Sequence, residues 1–389
     1  MPEFVFILGK NAELSKAEIE SYLKARSIDF EAADGSEEFL VVRAERLPVE
    51  MAKELGGTLK TGEAVFSSGR EEMAELADEI KRKVNFDPLF LSLPDKPLFA
   101  VSAYGDRNDA VFLAEFFKNA LKNYVKGPSY VHLAERESAV SHTDIIKKKI
   151  LQKGFEMLAC RGGLFWLAKT TAVHDPFEFR KRDLERPAQR AIYSIPPRLA
   201  RMMVNLSGIT EGVLLDPFCG VGSILQEAAL AGLQIRGVDI DAKAVEGCKK
   251  NLAWLEKECK ISIGGLDEKI SVWDARRLAE RFSANSIDAV VTEPYLGEPL
   301  KEKPSESEAR KILERLGPLF EESIREMAKV LKQKGRIVIV SPFFETEKGK
   351  MGLDMAVLAR KNRLVLKAQF PDFEERHRTL RMINVLEKT

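Results

Sequence analysis

The stretch Leu214-Leu-Asp-Pro-Phe-Cys-Gly-Val-Gly-Ser-Ile-Leu225 carries the first chemistry of this chain. An apolar run enters Asp216, passes a turn built on Gly220 and Gly222, and continues into a helix. A second apolar run ends in Gly237-Val-Asp-Ile-Asp241. Glycines let a backbone turn tightly and approach a ligand, and an acid at the end of the next strand can accept hydrogen bonds from ribose hydroxyls. A tight strand-to-helix connection without a ligand is the plain alternative reading of a glycine pair. The third glycine of the dinucleotide fingerprint is replaced by Leu225, which disfavours NAD and FAD, and no Gly-Lys-Ser/Thr follows, so a P-loop is excluded. S-adenosylmethionine fits better, because it carries adenosine but no pyrophosphate to be cradled by a helix N-terminus. Asp216 would face the cationic methionine end, with Phe218, Gly220 and Gly222 forming the turn. Asp239 would hold the ribose beside Ile240. Asp274 and Ala275, at the end of Ser271-Val-Trp-Asp-Ala275, would reach the adenine amine.

A second constellation is Ile287-Asp-Ala-Val-Val-Thr-Glu-Pro-Tyr-Leu-Gly297. It resembles the amino-methyltransferase signature Asp/Asn/Ser-Pro-Pro-Tyr/Phe. An exocyclic amine on a base has its lone pair delocalised into the ring. An acceptor side chain and a backbone carbonyl can bind both amine hydrogens and favour a nucleophilic nitrogen, while an aromatic ring stacks on the extruded base. Here Glu293 stands at the acceptor position, Pro294 is retained, and Tyr295 and Leu296 occupy the positions of the second proline and the aromatic. Tyr295 supplies the ring only if the loop shifts by one residue; otherwise the site is degenerate. No cysteine adjoins this loop, and Cys219 reads as a packing residue, which argues against a thiolate-dependent base-C5 methyltransferase.

The elements that position these residues alternate between strand and helix from Pro196 onward, which predicts a doubly wound α/β sheet closed by a hairpin with an antiparallel last strand. Residues 1–68 read as a βαββαβ, ferredoxin-like unit, with Ser15-Lys-Ala-Glu18 as a capping box and a helix near Val49–Leu55. Residues 69–173 read as a small α+β module. It contains an apolar-faced helix over Asp109–Tyr124 (Val111, Phe112, Ala114, Phe116, Phe117, Leu121), a basic helix over Thr143–Leu151, and a hairpin turning at Arg161-Gly-Gly163. Residues 174–195 are charged and aperiodic and read as a linker, leaving 196–389 for the catalytic domain.

The 389 residues are 45% hydrophobic with a net charge of +1, enough for two or three domains and without a global bias toward polyanions. Basic residues still cluster at Lys147, Lys148, Lys149 and Lys153, and at Arg180, Lys181, Arg182, Arg186, Arg190, Arg198 and Arg201; acids interrupt both runs, so solvated helix faces are the plain alternative. Four scattered cysteines without CxxC spacing argue for reduced thiols in a cytoplasmic protein and against a metal site. No apolar run is long enough to span a membrane, and the N-terminus lacks a signal-peptide pattern.

The resemblance widens beyond the two motifs. Arg182-Asp-Leu-Glu-Arg-Pro187 followed by Ser194-Ile-Pro-Pro-Arg-Leu-Ala-Arg-Met-Met-Val-Asn-Leu206 looks like the entry to the catalytic domain of the THUMP-containing tRNA guanine-N2 methyltransferases. Leu8-Gly-Lys-Asn-Ala-Glu-Leu-Ser-Lys-Ala-Glu18 is similar to the opening of their N-terminal domain, and Lys153-Gly-Phe-Glu-Met-Leu158 and Leu164-Phe-Trp-Leu-Ala-Lys-Thr170 to the closing strands of THUMP. The resemblance implies a Rossmann-like S-adenosylmethionine-dependent domain behind a THUMP RNA-binding module over 69–173. The substrate it implies is the N2 amine of guanosine, at position 10 of tRNA, flipped into a pocket at Glu293-Pro-Tyr. Lys147, Lys148, Lys149, Arg180, Arg182 and Arg186 become candidates for phosphate contacts. A monomer is expected, with tRNA as partner and a small activator protein as a candidate second partner. Two other readings stand beside it: an adenine-N6 amino-methyltransferase, and an RNA-binding protein whose catalytic loop has decayed.

Overall fold

A computed structural model describes the chain except for residues 49–50, 135–136, 190–193, 301 and 373–378. It divides into two compact units, 1–16 with 27–178, and 17–26 with 179–389.

Among the described residues of the first unit eight strands form one sheet: β1 (Glu3–Leu8), β2 (Phe30–Gly35), β3 (Phe39–Ala44), β4 (Thr58–Ser68), β5 (Leu98–Tyr104), β6 (Ser129–Tyr130), β7 (Gly154–Arg161) and β8 (Phe165–Val173). The order is β2-β3-β1-β4-β8-β7-β5-β6, so the βαββαβ unit and the α+β module share a sheet through the β4–β8 ladder. Buried Lys60 on β4 binds Glu156 Oε1 on β7 at 2.5 Å, and Ser102 on β5 donates to the same oxygen at 2.5 Å. Thr170 on β8 donates to Glu156 Oε2 at 2.7 Å. An ion pair this deep is tolerated because its donors and acceptors are matched by partners from four strands.

Three local expectations change here. The first helix spans Ala12–Ala25, capped by Asn11 Oδ1 accepting from Leu14 N at 3.2 Å. Ser15 lies inside it, buried, with its hydroxyl bonded back to Asn11 O, so Ser15–Glu18 is not a capping box. The basic helix is two short helices, His142–Lys147 and Ile150–Lys153, because Lys149 adopts φ +56° between them. In the helix Arg107–Leu121, Val111 and Phe112 are exposed, while Ala110, Leu113, Ala114, Phe117 and Leu121 are buried. The short helix expected near Val49 is seen at Met51–Glu54; residues 49–50 of that expectation lie outside the described residues.

The second unit holds β9 (Val213–Asp216), β10 (Gln234–Asp239), β11 (Ile270–Val272), β12 (Ile287–Thr292), β13 (Leu331–Thr346), β14 (Gly349–Gly352), β15 (Leu364–Asp372) and β16 (Leu380–Lys388). The order β11-β10-β9-β12-β13-β16-β15 is doubly wound, with the reversal at β9/β12. Strands β9 to β13 run parallel, and β16 lies antiparallel between β13 and β15, as the terminal hairpin predicts. One face of the sheet packs on the helices Glu306–Val330 and Met355–Lys361 through Phe320, Ile324, Met327, Leu358 and Leu386. The segment expected as a linker contains a helix, Pro176–Leu184, opened by Asp175 Oδ1 accepting from Phe177 N at 2.9 Å. Among the helix residues only Phe179 and Arg182 are buried, which is why the stretch shows no apolar period.

Candidate active site

Strand β9 delivers Asp216 to the carboxyl edge of the sheet at the topological switch point, where open α/β sheets bind ligands. Its carboxyl group is 2% exposed, and Oδ1 accepts from Thr292 Oγ1 at 2.7 Å and from Phe218 N at 3.1 Å. Burial outweighs those donors, and with Asp239 and Glu293 nearby it pushes Asp216 up to about 7. Gly222 closes the turn at φ +91°, where an added Cβ would stand 2.7 Å from Cys248 Sγ. Close helix–strand packing is achieved from the other side: a Cβ on Gly237 would meet Leu225 Cδ1 at 2.5 Å, so the missing third glycine is displaced onto β10.

At the end of β10, Asp239 Oδ2 accepts from Gly220 N at 2.8 Å and Oδ1 from Asp241 N at 2.9 Å, and Ile240 is 70% exposed beside it. Asp239 therefore shapes the glycine turn as well as lining the edge. Asp274 caps the turn after β11 through Arg276 N and is gripped by the Arg276 guanidinium at 2.6 and 3.0 Å, which holds its carboxyl below the usual range. An adenine contact from Asp274 has to compete with that grip; Ala275 beside it is buried.

A small, partly open cavity lies against this edge, lined among others by Ser194, Ile195, Asp216, Gly220 and Glu293. The buried Ser194 hydroxyl has no partner among the described residues. An orphaned hydroxyl, a buried carboxyl and an open glycine turn suit a polar, partly cationic ligand, which is the methionine end of S-adenosylmethionine.

Glu293 follows β12 into the same cavity, and its Oε1 accepts from Arg381 Nε on β16 at 2.6 Å, each side chain being 10% exposed. Leu296 packs against the core beneath the sheet, whereas Tyr295 is 43% exposed with its hydroxyl donating to Glu298 at 2.7 Å. The loop thus turns Tyr295, not residue 296, toward solvent; Pro294, just before them, is buried. Cys219 is buried, and a hydrogen bond with Cys248 together with burial pushes its thiol well above the usual range, so it does not act as a thiolate.

Two arginines expected to contact phosphate do other work. Arg182 is buried and donates to Glu227 Oε1 at 2.6 Å, while Arg201 donates to Oε2 of the same buried glutamate at 2.9 Å. Arg186 is 3% exposed and donates to Ser223 Oγ at 2.6 Å, at the start of the helix that follows the glycine turn. Neither guanidinium is presented to a polyanion. Lys147, Lys148, Lys149 and Arg180 are exposed, and Arg190 lies outside the described residues. Sequence reasoning missed Ser194, Arg381 and Asn251. The last braces the turn by donating to Val221 O at 2.8 Å and Ala188 O at 3.0 Å.

The strand order, the glycine turn and the acids at the ends of consecutive strands define an S-adenosylmethionine-dependent methyltransferase. A family model described as RMKL-like methyltransferase domain matches residues 185–352, and one described as DNA methylase matches 49–250, which stops short of Glu293. The tRNA (guanine(10)-N2)-dimethyltransferase of Methanothermobacter thermautotrophicus is 28% identical over 76% of this chain and 78% of its own length. The "Probable tRNA (guanine(10)-N2)-dimethyltransferase" of Methanothermococcus thermolithotrophicus is 33% identical over 37% of this chain and 79% of its own. The Pyrococcus abyssi enzyme of that name reaches 41%, over 31% of this chain and 33% of its own length. TrmN from Thermus thermophilus shares the fold over 100% of both chains, with TM-score 0.56 and 17% identity. The chain belongs to the tRNA (guanine-N2) methyltransferase family. No helix among the described residues is long and apolar enough to cross a membrane.

Proposed function

We propose that this protein methylates the N2 amine of a guanosine in tRNA, at position 10, with the target base flipped against Glu293-Pro-Tyr295. The observation that carries the reading is the placement of Glu293 and Asp216 in one cavity at the switch point of the sheet. S-adenosylmethionine, when bound, supplies a sulfonium methyl open to in-line attack. Asp216 faces the cationic end, Asp239 and the glycine turn hold the ribose side, and Asp274 with Ala275 closes the adenine end. Glu293 accepts a hydrogen bond from the target amine and holds its proton as the nitrogen becomes nucleophilic. Exposed Tyr295 stacks on the extruded base. The work is positioning and electrostatics rather than covalent catalysis.

Residues 69–173 form a THUMP module in this reading, and exposed Lys147, Lys148, Lys149 and Arg180 are its candidates for phosphate contacts. In this reading the protein works in the cytoplasm as a monomer on tRNA, and a small activator protein is a candidate second partner. Glu293→Ala tests the catalytic assignment. S-adenosylmethionine binding by calorimetry is expected to stay within about twofold of wild type, and methyl transfer to tRNA to fall by about a hundredfold or more. Unchanged transfer refutes the role of Glu293.

A further inference from the structure

Glu293 is one methylene longer than the aspartate of the signature it resembles, and a longer acceptor has one more torsion to fix. The structure fixes it from an unexpected direction. Arg381 sits on β16, in register with Pro342 on β13 and Asp372 on β15, and its side chain reaches the loop that leaves β12. In the strand order β12-β13-β16 the pair therefore spans an intervening strand. Both side chains are nine-tenths buried, so neither charge is stabilised mainly by water. We infer that Arg381 is a positioning residue for methyl transfer: its guanidinium holds the Glu293 carboxylate by Oε1 and aims it at the target amine.

Two features make a passive surface ion pair a poor description. Exposed pairs contribute little, but a largely desolvated charge-assisted hydrogen bond at 2.6 Å restrains both partners strongly. Glu293 also lines the same cavity as Asp216, whose carboxyl group both Glu293 and Asp239 repel. A fixed cation on the far side of Glu293 keeps the carboxylate where a substrate amine can use it, without drawing it toward the cofactor's cationic end. The antiparallel β16 is what makes this possible, because it places residue 381 at the carboxyl edge of a parallel sheet. Glu293 meets the guanidinium from across β13, so the Glu and the Arg act as one device.

The inference rests on the proposed role of Glu293, and the test separates the two. Steady-state methylation of a tRNA transcript by the full chain would be compared for wild type, Arg381→Met, Arg381→Lys, Glu293→Gln and the double variant Glu293→Gln/Arg381→Met. Arg381→Met is expected to lower kcat by about tenfold or more, with the S-adenosylmethionine Kd and the KM for tRNA within about twofold of wild type. Arg381→Lys keeps the charge and is expected to recover part of that loss. The double variant is expected to be no slower than Glu293→Gln alone, because the effect of Arg381 on methyl transfer is routed through Glu293. A wild-type kcat in Arg381→Met overturns the inference. So does a kcat loss mirrored by an equal loss of cofactor affinity, or losses that multiply in the double variant. If Glu293→Gln itself is fully active, the proposed role of Glu293 fails first, and the Arg381 inference fails with it.

Discussion

The Asp216 carboxyl group is held near neutrality in the cofactor-free protein, and that makes both cofactor affinity and stability depend on pH in opposite directions. Its folded value of about 7 lies above the ordinary 3.8. A raised carboxyl disfavours the folded state once the unfolded chain can ionise it, so stability is highest below pH 3.8 on this account and declines until about pH 7. At about 1.4 kcal/mol per pH unit, a shift of about three units sets an upper bound near 4 kcal/mol on the strain at pH 8. Asp216→Asn removes the charge and keeps the bonds, since Thr292 and Phe218 both donate to Oδ1. The variant is therefore expected to melt several degrees higher than wild type at pH 8, with the gap closing toward pH 5. Affinity runs the other way: a cationic ligand binds the ionised carboxylate, so wild-type affinity for S-adenosylmethionine should rise about tenfold from pH 6 to pH 8. Calorimetric titration and differential scanning calorimetry of both proteins across that range test the pair of effects. A wild-type Kd flat from pH 6 to 8, or an Asn variant no more stable than wild type at pH 8, refutes the reasoning.

Two further changes probe the rest of the molecule. Reversing Lys147, Lys148 and Lys149 to Glu should weaken tRNA binding and reduce the slope of log K against log salt by about 2 to 3, with the S-adenosylmethionine Kd unchanged; an unaltered salt slope would clear these lysines of phosphate contact. Glu227→Gln removes the carboxylate shared by buried Arg182 and Arg201, and should cost about 3–5 kcal/mol, or on the order of 10 °C in the melting of the second unit. A melting temperature within a degree of wild type would contradict that pairing.

The cofactor edge was legible because its signals are local. The glycine turn and the acids at strand ends lie within one stretch of three consecutive strands, and each acid's place at the carboxyl edge follows from its own element. The Glu293–Arg381 pair was not legible, because its members are 88 residues apart and meet only after the last hairpin folds back between β13 and β15. The same limit applied to Arg182 and Arg186. A run of arginines reads as a basic patch until tertiary packing supplies Glu227 and Ser223 as partners. Exposed Val111 and Phe112 show the converse, since helical spacing marks a face without saying where its edge falls. The helix Met355–Lys361 and strand β14 escaped notice because both are short and lie among charged and glycine-rich residues.

Methylation of the guanosine N2 amine is read out by nucleoside mass spectrometry of tRNA incubated with the full chain and S-adenosylmethionine. N2-methylated guanosine is expected, lost in Glu293→Ala and absent when guanosine 10 of the transcript is replaced by adenosine. N6-methyladenosine in place of methylguanosine, or no methylated nucleoside from a protein that binds the cofactor, would contradict it.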